Sequence, residues 1–323
     1  MVDLGALREQ ITRSIVGNPT YTRVEVAEAV GFPVEHATRL WRAMGFPEVG
    51  DDEPVFTGRD IDALRTAMSL VRTGIVDDDT LVTLTRTMAQ ALSRLAVAHH
   101  DLAVDYLART MQTGPENQAA LAAAVADDVL PAVSSLLDYI WRRHLASAAE
   151  STLTATGPVG AGATVAAVGF ADLEGFTELS RALSAEELGQ LVESFESMAA
   201  IVVGAHHGRV VKTVGDEVMF TSSDVGAAAE IASDLATSDD DSLPAIRVGF
   251  AYGPVLTKMG DLYGPTVNIA SRLTGIAYPG SVVVDREAAA ALEQLPGWRL
   301  RPMKRRSVRG YENLAPYRLR RAD

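Results

Sequence analysis

Asp172 closes an apolar, β-prone run from Val165 to Phe170, and Gly175 breaks the chain before a helical pattern begins. Asp216 lies between two short apolar runs, in Val210-Val211-Lys212-Thr213-Val214-Gly215-Asp216-Glu217-Val218-Met219-Phe220, the form of a hairpin with the acid at its tip. Two carboxylates about 4 Å apart repel by roughly 4 kcal/mol at an effective dielectric of about 20. Such a pair needs a counter-ion, and Mg2+ or Mn2+, held by one or two carboxylates together with substrate phosphates, meets that need. Downstream, Gly264-Pro265 is a good helix start, and Asn268 and Arg272, four apart, fall on one face of that helix. Beside a phosphate-binding metal site they would orient a ribose and stabilise charge on phosphate. Taken singly, each of these residues is equally at home as a solvated surface group.

The elements that must position these residues form an alternating series. The pattern predicts a strand at 164–171, a helix from about 176 to 204, strands at 208–213 and 217–221, and a helix at 224–236. Strands at 245–251 and 254–259, a helix at 265–277, a strand at 281–284, a short helix at 286–292 and strands near 298–303 and 314–319 follow. The first six elements have the order β-α-β-β-α-β of a ferredoxin-like core, which leaves one sheet face open for a substrate or partner. The fold class is therefore α+β, with a ferredoxin-like domain over 164–323. Residues 151–163, rich in Gly, Thr and Ala, read as a linker, and their glycines make no phosphate loop because no Gly-Lys-Ser/Thr follows.

Residues 1–150 read as an all-helical domain. Helices over Val24 to Val30 and Val34 to Met44, with Val49 to Thr57 as a small wing, outline a helix-turn-helix, yet this is also the commonest way to pack a small helical domain. Ten acidic against six basic residues in positions 1–60 argue against DNA. From Asp60 to Thr110 an apolar stripe runs through Leu81, Leu84, Met88, Leu92, Leu95, His99, Leu102 and Tyr106. Further helical patterns span 117–129 and, from Pro131, about 131–147. His99, His100 and His144 offer a pH-responsive element, although a histidine in such a stripe is more often an ordinary core residue.

Composition narrows the classes. No cysteine among 323 residues excludes disulfides, thiolate catalysis and cysteine-ligated metal, so any metal must take oxygen or imidazole ligands. A net charge of −13 disfavours non-specific contact with nucleic acid or anionic membrane. No secretory signal pattern or apolar run of membrane-spanning length is legible, which points to a cytoplasmic protein. Only Lys212, Lys258 and Lys304 are lysines, which draws notice to Lys212, four residues before Asp216.

Together, Phe170-Ala171-Asp172-Leu173-Glu174-Gly175-Phe176-Thr177, Lys212-Thr213-Val214-Gly215-Asp216, and Asp261 with Asn268 and Arg272 resemble the class III nucleotidyl cyclase catalytic domain. The resemblance covers roughly residues 163 to 320; the helical half more weakly resembles the regulatory region of pH-responsive mycobacterial-type members. It implies that Asp172 and Asp216 bind two divalent metals, Mg2+ or Mn2+, and that Lys212 and Asp261 select the base. Their chemistry suits adenine, since lysine donates to ring N1 and the aspartate accepts from the exocyclic amine. Asn268 would position the ribose, Arg272 would stabilise the transition state, and Arg309 would stand where the family uses a lysine on the terminal phosphates. The implied activity is that of an adenylate cyclase making 3′,5′-cyclic AMP and pyrophosphate from ATP, regulated by the helical domain. The implied assembly is a head-to-tail homodimer with composite active sites.

Three other readings compete. A diguanylate cyclase shares the core and a Gly-Gly-Asp-Glu-Phe hairpin, but Val214-Gly215-Asp216-Glu217-Val218 lacks the first glycine and the aromatic. A guanylate cyclase would typically carry a glutamate at the Lys212 position. A non-catalytic nucleotide sensor or transcription regulator would not need all six site residues.

Overall fold

The computed structural model describes residues 13, 15–110, 129–154, 163–238, 240 and 242–322, and two units divide the chain, Met1–Thr156 and Gly157–Asp323. The predicted helix at 117–129 falls largely outside the described residues. So does the part of the predicted linker between Thr154 and Ala163.

In the first unit, α1 (Arg23–Val30) and α3 (Gly58–Arg72) each begin with a capping box, from Thr22 with Glu25 and from Thr57 with Asp60. Such boxes satisfy amide groups that a helix start leaves unpaired. With α2 (Val34–Ala43) they enclose a small core of Val26, Leu40, Phe56, Ile61, Leu64, Met68 and Leu81. The expected wing is reduced to one bridge between Tyr21 and Phe56. Helices α4 (Asp78–Thr110) and α5 (Leu130–Thr154) are long. Their apolar faces stay exposed within the chain: Met88, Leu92, Tyr139, Trp141 and Leu145 are each at least half exposed, and His99 is exposed rather than packed.

The second unit is an α+β fold on a sheet of order β2-β3-β1-β4-β6-β10-β7. Its first half is the expected ferredoxin-like arrangement: β1 (Ala163–Leu173) lies between β3 (Glu217–Ser222) and β4 (Ile246–Lys258), antiparallel to both, with β2 (Arg209–Val214) outside β3. Helices α7 (Ala185–Ala205), α8 (Val225–Ala236) and α10 (Arg286–Leu292) bury one face, around Phe195, Phe220, Ile231, Phe250 and Leu292. Each such side chain contributes roughly 1.5–3 kcal/mol. Helix α9 (Pro265–Thr274) covers part of the other face, over Phe170, Met219, Ala251 and Val283. It rests so closely on β4 that a Cβ at Gly249 would lie 2.1 Å from the Thr274 amide nitrogen.

Several boundaries differ from expectation. The single helix expected at 176–204 is two, α6 (Phe176–Ala182) and α7, because Ser184 and Glu187 form a capping box that starts a new helix. The two strands expected at 245–251 and 254–259 are one: Pro254 pairs only with Val165 of β1, since β6 (Ser281–Val284) leaves β4 at Phe250. On a free edge the missing proline N–H costs nothing. A short β5 (Asp261–Tyr263) folds back on β4, and β7 (Trp298–Pro302), the hairpin β8 (Arg306–Val308) and β9 (Tyr311–Leu314), and β10 (Tyr317–Arg321) complete the chain. Contrary to the sequence reading, α7 is long and apolar enough to cross a membrane by length and composition alone. Its Phe195, Ala199 and Val203 are buried against the sheet, while most of the helix is not buried within the chain.

Candidate active site

Alternation along the strands assigns the chemistry to one face. Asp172 shares the face of Phe170 and Val168; Glu217 lies opposite it on β3 and Arg247 opposite it on β4. The two-residue turn Gly215-Asp216 joins β2 to β3, and the Leu173 amide donates to the Asp216 carbonyl at 3.2 Å. Asp172 and Asp216 are thereby neighbours, as their strand-end positions suggested.

Arg247 Nε donates to Asp172 Oδ2 at 2.5 Å, and its Nη1 lies 3.6 Å from Glu174 Oε2. The Asp172 side chain is only 13% exposed. Burial raises its pKa, Arg247 pulls it down, the charge of Asp216 pushes it up again, and the net shift is upward. Burial, then the charges of Asp172 and Asp216, push Glu217 up to about 7 against the opposing pull of Arg247. One guanidinium thus faces a surplus of negative charge. The donors are hard carboxylate oxygens, and the surplus charge is of the kind that Mg2+ or Mn2+ offsets. Among the described residues no three His, Asp or Glu side chains form a ready metal cage.

Lys212 and Asp261 form a second group. Lys212 Nζ donates to Asp261 Oδ2 at 2.6 Å, and the Leu262 amide donates to Oδ1 at 2.8 Å. Burial favours the protonated acid, but the Lys212 hydrogen bond, the Leu262 amide and the charges of Lys212 and Arg209 hold Asp261 below the ordinary carboxylate range. These side chains are 39% and 30% exposed. Asn268 and Arg272 project from α9, whose Thr266, Ala270, Leu273 and Thr274 are buried; the Asn268 and Arg272 side chains have no hydrogen bond or ion pair among the described residues. Arg309 is exposed in the β8–β9 turn, and nearby Tyr311 donates its hydroxyl to the Pro265 carbonyl at 3.3 Å, tying that hairpin to the start of α9.

The structure therefore brings Asp172 to Asp216 and Lys212 to Asp261, and joins neither pair to Asn268, Arg272 or Arg309 by a hydrogen bond or ion pair among the described residues. Sequence reasoning missed Arg247. Its signal was a lone arginine inside an apolar strand, which needs a carboxylate partner.

Residues 162–321 match the adenylate and guanylate cyclase catalytic domain, and residues 8–148 match the adenylate cyclase regulatory domain. The chain is 39% identical over 331 residues to an adenylate cyclase of Streptomyces coelicolor, covering 94% of this chain and 86% of that one. It is 36% identical to an adenylate cyclase of Glutamicibacter nicotianae, covering 95% and 80%. Identity is 32% to a pH-sensitive adenylate cyclase of Mycobacterium tuberculosis, covering 96% and 81%. By these matches, spanning both units, the chain belongs to the adenylate and guanylate cyclase family and joins that catalytic domain to an adenylate cyclase regulatory domain.

Proposed function

We propose that this chain is an adenylate cyclase that converts ATP to 3′,5′-cyclic AMP and pyrophosphate. The observation that carries the substrate choice is the Lys212–Asp261 pair: an ammonium suited to the adenine N1 acceptor beside a carboxylate suited to the exocyclic amine. In the reaction the ribose 3′-oxygen loses its proton and bonds to the α-phosphorus in line, while the bond to the β-phosphate oxygen breaks. Asp172 and Asp216 would hold two divalent metals, which when bound would acidify the 3′-hydroxyl and neutralise phosphate charge. Arg247 orients Asp172 and adds positive charge beside the acids. Asn268 aligns the ribose, Arg272 stabilises charge on the transferring phosphorus, and Arg309 takes the terminal phosphates. Positioning carries much of such a barrier.

Two chains arranged head to tail would complete each site, with the acids of one protomer facing Lys212, Asp261, Asn268 and Arg272 of its partner. The helical unit regulates the catalytic one, with His99, His100 and His144 supplying pH dependence. Replacing all three by Ala should flatten the pH–rate profile, and an unchanged profile would remove them from the mechanism.

The main test is cyclic AMP formation from ATP with Mn2+, with GTP alongside, for the full chain and Asp216→Ala. Cyclic AMP from the full chain alone is expected. Absence of product from ATP, or a cyclic product from GTP only, would sink the assignment.

A further inference from the structure

Strand β2 is irregular where it matters. Val210 pairs with Phe220 and Lys212 with Met219, so Val211 is one residue too many. In a regular strand Arg209 and Lys212, three apart, would point to opposite faces. The bulge re-aims Lys212, so that it shares the face of Met219 while Arg209, opposite Thr221, shares it too.

Both cations reach the β4–β5 hairpin. Lys212 binds Asp261, and Arg209 Nη1 donates to the Gly260 carbonyl at 3.5 Å. That hairpin turns on two residues of positive φ, Met259 at 52° and Gly260 at 81°, between the paired Lys258 and Asp261. A side chain seldom adopts the conformation of Met259. The tip that presents Asp261 is thus a strained turn with a cation on its carbonyl.

We propose that Arg209 is a positioning residue for adenine selection: through the Gly260 carbonyl it fixes the turn from which Asp261 meets the exocyclic amine, and the Val211 bulge is what lets Arg209 and Lys212 act on one hairpin. The inference rests on the adenylate cyclase reading. Arg209 touches no base; it acts through Asp261, whose carboxylate form its charge also favours. A residue that only stabilised the sheet would affect every nucleotide alike.

The test compares ATP with purine riboside triphosphate, which lacks the exocyclic amine, on the full chain. Arg209→Ala should raise KM for ATP about fivefold, the scale of one lost hydrogen bond, with kcat within about twofold. KM for the amine-free nucleotide should not move, and Arg209→Lys should restore most of the loss with ATP. In an Asp261→Ala background, Arg209→Ala should add nothing. Should Arg209→Ala not fold, Arg209→Gln serves the same comparison. Equal KM increases for both nucleotides, or additive losses in the double variant, would overturn the inference. A full chain that forms no cyclic AMP at all would instead overturn the reading beneath it, whereas an active chain indifferent to Arg209→Ala sinks this inference alone.

Discussion

The acid group and the Lys212–Asp261 pair share one sheet face but are held in opposite ways. Asp172 sits in the middle of the sheet with paired strands on both sides, 13% exposed, its charge disputed by Arg247 and Asp216. Lys212 lies on the outermost strand and Asp261 on a short hairpin, both about a third exposed. In the proposed assignment, the charge that would drive the reaction sits on the least deformable backbone, where low polarizability amplifies it. In the same assignment, the charge that would read the base sits at the sheet edge, on a short hairpin turn.

The sharpest way to break this contrast is Asp216→Ala. Turnover should fall by at least about 1,000-fold, the several kcal/mol that a bound metal supplies to a transition state. Thermal melting should not fall, because one member of a repelling pair is gone. A melting temperature that drops with activity would mean the acids are structural.

Next in size is Arg247→Ala, expected to cut cyclic AMP turnover about 100-fold, since Asp172 loses its donor. Steady-state rates with saturating ATP and metal check this, and a change confined to KM would reassign Arg247 to binding.

At the other end, Lys212→Glu should shift the ratio of kcat/KM for ATP to that for GTP by about tenfold toward GTP, because a carboxylate accepts from the protonated guanine N1. Loss of both activities in equal measure would erase the division of labour.

The smallest effect should touch both ends alike. Asp285, 3% exposed, accepts from the Ala288 amide of α10 and the Tyr252 amide of β4, the strand that spans both groups. Burial, aided by Glu287 and opposed by the two amides, pushes its pKa from 3.8 up to about 7. The folded chain therefore keeps a proton that the unfolded chain releases, and stability falls as pH rises through that window. Asp285→Asn should raise Tm at pH 8 by about 2–4 °C and by less at pH 5. A gap that does not widen with pH would contradict this.

What could be read beforehand follows the same division. The β-α-β-β-α-β core and the nearness of Asp172 to Asp216 were legible because period-two runs and a two-residue turn are local patterns, whereas the short strands at 261–263, 306–308 and 311–314 were not. Arg247 and the Val211 bulge were not, because their meaning depends on which residue stands opposite on another strand. The break expected between 251 and 254 is absent for a related reason: whether a strand can run on through a proline depends on whether a neighbour needs its N–H there. The stripe on α4 was seen as a stripe, but its exposure depends on what packs against it.

At Gly249 the helix bearing Asn268 and Arg272 rests on bare backbone, and the buried Thr274 hydroxyl sits within 3.4 Å of the Ala270, Phe170 and Gly249 carbonyls. This is a pivot with almost no clearance: a single methyl group there would lift the helix off its seat. Arg272 stands only two residues from Thr274, beside that pivot, so in the proposed assignment the clearance at Gly249 sets where its guanidinium is presented.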